Sequence, residues 1–199
     1  MRQHAEWAMY AEKSFRAVFL AATLSLGAAL VASSSFAEMT VMVGGAPMYP
    51  SKNIVENAVN SKDHTTLVAA VKAAGLVETL EGAGPFTVFA PTNEAFAKLP
   101  KGVVEMLLKP ENKDKLVAVL TYHVVPGRLS AQDLAAKVDG GGGQATLKTA
   151  QGEELTVKRQ GRAHLAITDA KGDTAIITIS NVMQSNGVIH VIDKVLIPG

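Results

Sequence analysis

Histidine is the residue type best suited to chemistry in this chain, and four of the five fall beyond residue 37: His64, His123, His164 and His190. A metal site would need two or more at ligand spacing, such as His-x-x-x-His, or cysteine as a softer ligand. The four are scattered and the chain has no cysteine, so neither a metal nor another cofactor is expected. His123 and His190 fall in apolar runs that read as strands. The ordinary state of an imidazole there is partly buried and hydrogen-bonded to backbone or hydroxyl. Covalent catalysis has no better basis, because there is no Gly-x-Ser-x-Gly elbow and no thiol. Glu153 and Glu154 adjoin a hairpin turn, which suits a solvated surface better than a glycosidase pair. The glycines at 140–143 lack the Gly-Lys-Ser/Thr of a phosphate loop and read as a flexible connection. No catalytic set emerges, and an enzyme is not expected.

The elements around these residues follow from periodicity. Residues 38–50 are small, contain Gly and Pro and show no period, so they read as a linker. From Ser51, a plausible N-cap, Ile54, Val55, Ala58 and Val59 share one helical face. Leu67, Val68, Val71 and Ala74 form the stripe of a second helix, closed by Gly75. Residues 86–90 read as a strand, after which Thr92 caps a short helix over 93–98. Further helices are expected at 103–108 and 111–120, then an apolar strand at 122–125. Ser130 and Asp133 resemble a capping box that opens a helix through about Lys137. Beyond the glycines the period changes to 2. Strand-like runs lie around 145–149, 155–158, 164–168, 175–179, 188–192 and 195–197, most of them separated by x-Gly turns. Helices crowd the first half and strands the second, which predicts an α+β fold with one mostly antiparallel sheet system. No repeat and no second domain is visible.

The first 37 residues read as a secretory signal. Lys13 and Arg16 precede an apolar and small run over 17–32, and Ser35-Phe36-Ala37 fits a small-x-small cleavage site. That run falls short of the roughly 20 residues that span a bilayer, so no transmembrane segment is expected after cleavage. Met9 would make a more ordinary start than Met1. Residues 38–199 then hold 16 basic and 16 acidic side chains, with no basic stripe for nucleic acid. Cysteine and Asn-x-Ser/Thr sequons are both absent. This balance leans towards a bacterial envelope or secreted protein, periplasmic or released.

Three sequence blocks resemble the signature of the fasciclin domain family. The first is Phe86-Thr87-Val88-Phe89-Ala90-Pro91-Thr92-Asn93-Glu94-Ala95-Phe96. The second is Tyr122-His123-Val124-Val125-Pro126-Gly127. The third runs from Ser185, Asn186 and Gly187 through His190 to Pro198. They lie in the family's order and spacing, and the resemblance covers about residues 51–198, so 51–199 is taken as one fasciclin-like domain. It implies a β-sandwich or wedge of mostly antiparallel strands packed with helices, an extracytoplasmic location, and roles in adhesion and protein contact. Thr87, Phe89 and Phe96 look like core and strand-to-helix packing around a turn set by Pro91. Asn186-Gly187 is expected to supply positive φ for a tight hairpin.

The resemblance also suggests binding residues. In animal members, integrin binding has been attributed to an Asp-Ile segment before the closing block and to the Tyr-His region. Here the first reads Ser180-Asn181-Val182-Met183, with Asn in place of the carboxylate that an integrin's metal ion would coordinate. Integrin is therefore not an expected partner. The favoured contacts are Tyr122, His123 and Arg128, with Asn181, Val182 and Met183 beside them, facing a protein or an extracellular polymer. The alternative is a carrier of an apolar small molecule such as a carotenoid or lipid, suggested by the Val, Ile and Met around 175–183.

Overall fold

The computed structural model describes residues 40–161 and 164–199; the expected signal segment lies outside them. Helices α1 (Ile54–Ala58), α2 (Thr65–Ala74) and α3 (Val77–Glu81) follow an N-terminal hairpin of β1 (Val41–Val43) and β2 (Ala46–Met48). Next come β3 (Phe86–Pro91), α4 (Asn93–Ala97), α5 (Val103–Leu107), α6 (Lys113–Tyr122), β4 (Val124–Pro126) and α7 (Ala131–Gly140). The chain closes with β5 (Gln144–Lys148), β6 (Glu154–Gln160), β7 (His164–Thr168), β8 (Thr174–Gln184) and β9 (Gly187–Ile192). This is the α+β arrangement expected from the change of period.

Strands β3 to β9 make one seven-stranded sheet in the order β4-β3-β9-β8-β7-β6-β5. Pairing is antiparallel except between β3 and β9, which run parallel from Phe86 opposite Gly187 to Pro91 opposite Ile192. The sheet curls until the chain after β5 meets β4, where the Ala150 N–H donates to the Val124 carbonyl at 2.7 Å. Both central strands are buried on both faces, which explains their continuous apolar runs. Val88, Ala90, Ile189 and Val191 pack with α1, α2, α3 and α6. Phe89 and Ile192 point the other way, into the core formed with α7 and β5 to β8. A third, smaller cluster joins Ala95, Phe96, Val119 and Val195.

Four local expectations are corrected. The expected linker over 38–50 is, in its described part, not bare: Gly44 and Gly45, at φ 57° and 76°, turn a hairpin whose Val43 and Met48 are buried. Each strand has three residues, too few to display a period. The cap of α1 is Asn53 instead of Ser51, because Asn53 and Glu56 each accept the other's backbone N–H. The helix before β4 continues through Tyr122, so His123 stands at a helix end and not within a strand. A short apolar run cannot separate buried helix from buried strand. Residues 195–197 form no strand, since side chains satisfy their backbone: Leu196 N–H donates to His123 and Ile197 N–H to Asp169.

Candidate functional site

The sheet brings the three sequence blocks together, because β9 of the third lies beside β3 of the first, and β4 of the second lies on the other side of β3. Their polar side chains mostly serve the backbone. Thr87 Oγ1 donates to the Gly127 carbonyl at 2.7 Å and accepts from Leu129 N–H at 2.9 Å. Thr92 caps α4 by accepting from Ala95 N–H, with the neighbouring Pro91 buried. Asn186 is the densest junction. Its Oδ1 accepts from Ile54 N–H at 3.1 Å, and its Nδ2 donates to the Leu80 and Gly82 carbonyls, both at 2.8 Å.

Tyr122 and His123 lie inside the molecule, at 0% and 3% exposure. The Tyr122 hydroxyl donates to the Glu154 carbonyl at 3.0 Å and accepts from Ala170 N–H at 2.9 Å. Burial raises its pKa above the usual phenolic value. His123 accepts from Leu196 N–H through Nε2 at 2.9 Å, which leaves the proton on Nδ1 to donate to the Val119 carbonyl at 2.8 Å. Burial holds its pKa down at about 4. Val182 is equally enclosed. The expectation that these three face a protein or polymer partner is corrected: all three are core residues, not presented on the outer surface. Tyr122→Phe should cost about 2 kcal/mol, since it strands two backbone groups at once. Urea denaturation reads this, and a variant as stable as the parent would show that the hydroxyl contributes nothing.

Arg128 is exposed, and its guanidinium donates to the Gln184 and Ser185 carbonyls at 3.0 and 2.9 Å. It thereby ties the turn after β4 to the β8–β9 turn. Pro85, Pro126 and Ser185 are also exposed, and Gly127 N–H donates to the Pro85 carbonyl at 2.8 Å. One end of the sheet thus presents a rim made from all three blocks or their flanks. Asn181 sits elsewhere on β8, at φ 59° where the register slips. Its side chain accepts from Ala131 N–H and donates to Gln132, and Met183 is half-buried. The six proposed contacts therefore do not form one surface.

His190 is fully buried, stacked on Phe89 with ring centroids 5.8 Å apart. Its Nε2–H donates to the Leu129 carbonyl at 2.8 Å, and burial lowers its pKa. His64 bonds Ser61 through Nδ1 at 2.8 Å, and burial lowers its pKa also. Among the described residues no group of three His, Cys, Asp or Glu gathers to hold a metal ion.

The sequence did not reveal the cavity of about 120 Å³ between α1, α2 and α3 and the β3–β9 face, closed on one side by Val43 and Met48 of the hairpin. Its wall is almost wholly apolar and includes Val71, Leu80, Val88 and Ile189, with His64 and Lys72 as well. Of the 175–183 stretch only Val182 reaches it. The other buried side chains of that stretch, Ala175 and Ile177, belong to the opposite core.

The fasciclin domain model matches residues 62–198. The chain is 47% identical to Protein sll1483 of Synechocystis sp., over 88% of this chain and 89% of that protein. It is 36% identical to Immunogenic protein MPB70 of Mycobacterium bovis, over 71% and 66% respectively. With transforming growth factor-beta-induced protein ig-h3 of Sus scrofa it shares 37% identity over 75% of this chain, which is 20% of that protein. Among solved structures it resembles the FAS1 domain pair from the insect cell adhesion molecule fasciclin I, with a TM-score of 0.67 and 18% identity. That match covers 74% of this chain and 51% of the other. The fold, the three adjoining blocks and these relatives agree, and the chain belongs to the fasciclin domain family.

Proposed function

We propose that the protein is an exported, non-catalytic binding module that docks another protein or an extracellular polymer. The observation that carries this reading is the employment of its polar side chains. Thr87, Tyr122, His123, Asn186 and His190 all serve backbone groups in the interior. A buried polar group that is fully hydrogen-bonded specifies shape and leaves no group poised for reaction. The insect cell adhesion molecule with the same fold supports the class of function. Export rests on the Lys13, Arg16 and 17–32 pattern together with Ser35-Phe36-Ala37.

The docking surface we assign is the rim of Pro85, Pro126, Arg128 and Ser185, with arginine as its anchor. Arg128→Glu should reduce capture of the partner from the native cell envelope by about tenfold while moving the melting temperature by only a few degrees. Undiminished capture by that variant would remove the rim from consideration. Turnover of an ester or glycoside by the purified protein would remove the non-catalytic reading.

The apolar cavity favours a second reading, the carrier of an apolar small molecule. A chamber lined by aliphatic side chains stays dry and accepts small hydrocarbons. Uptake of a neutral apolar probe, read from methyl resonances of Val71 and Ile189, tests it directly.

A further inference from the structure

We infer that the cavity takes an anionic single-chain amphiphile, a medium-chain carboxylate, with its alkyl chain inside and its head at Lys72. The inference rests on the carrier reading and adds the chemistry of the ligand. Lys72 is exposed, on the α2 turn that lines the cavity. Among the described residues it has no ion pair. Among the described residues no carboxylate lines the cavity. Two histidines do, but burial lowers the pKa of both, so the lining carries one formal charge at neutral pH, and it is positive. A second cation is close: Lys113 Nζ comes to 3.5 Å from where a Gly75 side chain would stand, just past the end of α2. Lys72 lies in the last turn of α2 and Lys113 Nζ beside Gly75 at its end, so both cations belong to the same end of the helix.

The interior fixes the length of the chain. A dry cavity of about 150 Å³ holds benzene, so about 120 Å³ holds roughly five or six carbons. His64 gives the site a built-in reporter. Its ring is on the cavity wall, and its Nε2 is the one buried side-chain polar atom without a hydrogen-bond partner among the described residues. Val43, Met48 and Ile54, which complete the wall, precede the stretch matched by the family model.

The test is a titration of the protein with carboxylates from butanoate to decanoate and with 1-alkanols of equal length, followed by methyl and imidazole NMR. Affinity for the acids should rise about fourfold per carbon until the chamber is full, then flatten. At low salt each acid should bind about fivefold more tightly than its alcohol, and Lys72→Gln should remove most of that preference without changing alcohol binding. Because Lys72 is exposed, the variant folds as the parent does. Acid and alcohol binding equally to the parent would overturn the anionic head and leave the carrier reading standing. No shift of the Val71, Leu80, Ile189 or His64 signals by any of these probes would overturn both.

Discussion

Gly187→Ala is expected to destabilise the fold by on the order of 4 kcal/mol, enough to remove most of the folded population of a domain whose total stability is about 5–15 kcal/mol. Gly187 opens β9 opposite Phe86 of β3, and a Cβ there would lie inside the contact radius of the Phe86 carbonyl oxygen. It would also stand 3.0 Å from the Phe86 carbonyl carbon and 3.1 Å from Ile54 Cδ1. The obstacle is backbone of the adjacent central strand, which cannot swing aside. Gly152 and Gly172 supply the comparison. Both have positive φ, at 112° and 88°, with nothing near a Cβ. Alanine at either should cost about 1 kcal/mol, the conformational term alone. Chemical denaturation of the three variants separates the causes. If Gly187→Ala costs no more than the other two, close strand approach is not the reason for glycine at this position.

The same residue shows what the sequence can and cannot convey. Asn-Gly reads as a positive-φ hairpin pair, yet neither Asn186 nor Gly187 adopts positive φ. The left-handed residue is Asn181, at the slip in β8. Turn chemistry is a local signal, whereas the demand on Gly187 comes from a strand a hundred residues earlier, and the demand on Asn186 from Ile54, Leu80 and Gly82. Helices of two turns or more and the alternating strands are legible because their period shows: α2 with its Gly75 cap, the Ser130–Asp133 capping box, and β5 to β9, whereas the five-residue α3 is not. Nor are the three-residue strands β1 and β2. The interaction site is the least legible part. Tyr and Arg are good anchors wherever they are exposed, and only tertiary packing shows that Tyr122 points inward while Arg128 points out. The cavity left no trace in the sequence, because its wall is assembled from many elements whose apolar residues look like any core.

Acid should unfold this protein well above the usual carboxylate range, and histidine is the cause. His64, His123 and His190 all have pKa values lowered in the folded state, in each case chiefly by burial, and His123 falls to about 4. His123 also has a geometric reason to stay neutral: its Nε2 accepts from Leu196 N–H, and a proton there would set donor against donor. In the unfolded chain each titrates near 6.5. The unfolded state therefore binds more protons than the native state below pH 6.5, and stability rises with pH through that window. The histidine contribution is fully present above pH 6.5 and is lost progressively as pH falls, down to about 4 for His123. For that residue alone the loss is about 3 kcal/mol. Asp133 and Asp139 act lower: hydrogen bonds from Ser130 and Arg159 hold both below the ordinary value of 3.8. Urea midpoints measured at pH 7.5, 6.0, 5.0 and 4.5 should fall steadily. His123→Gln, which keeps one donor and one acceptor but cannot take a proton, should start less stable and fall less steeply. Midpoints that stay level from pH 7.5 to 4.5 would mean the three rings are not held neutral inside the fold.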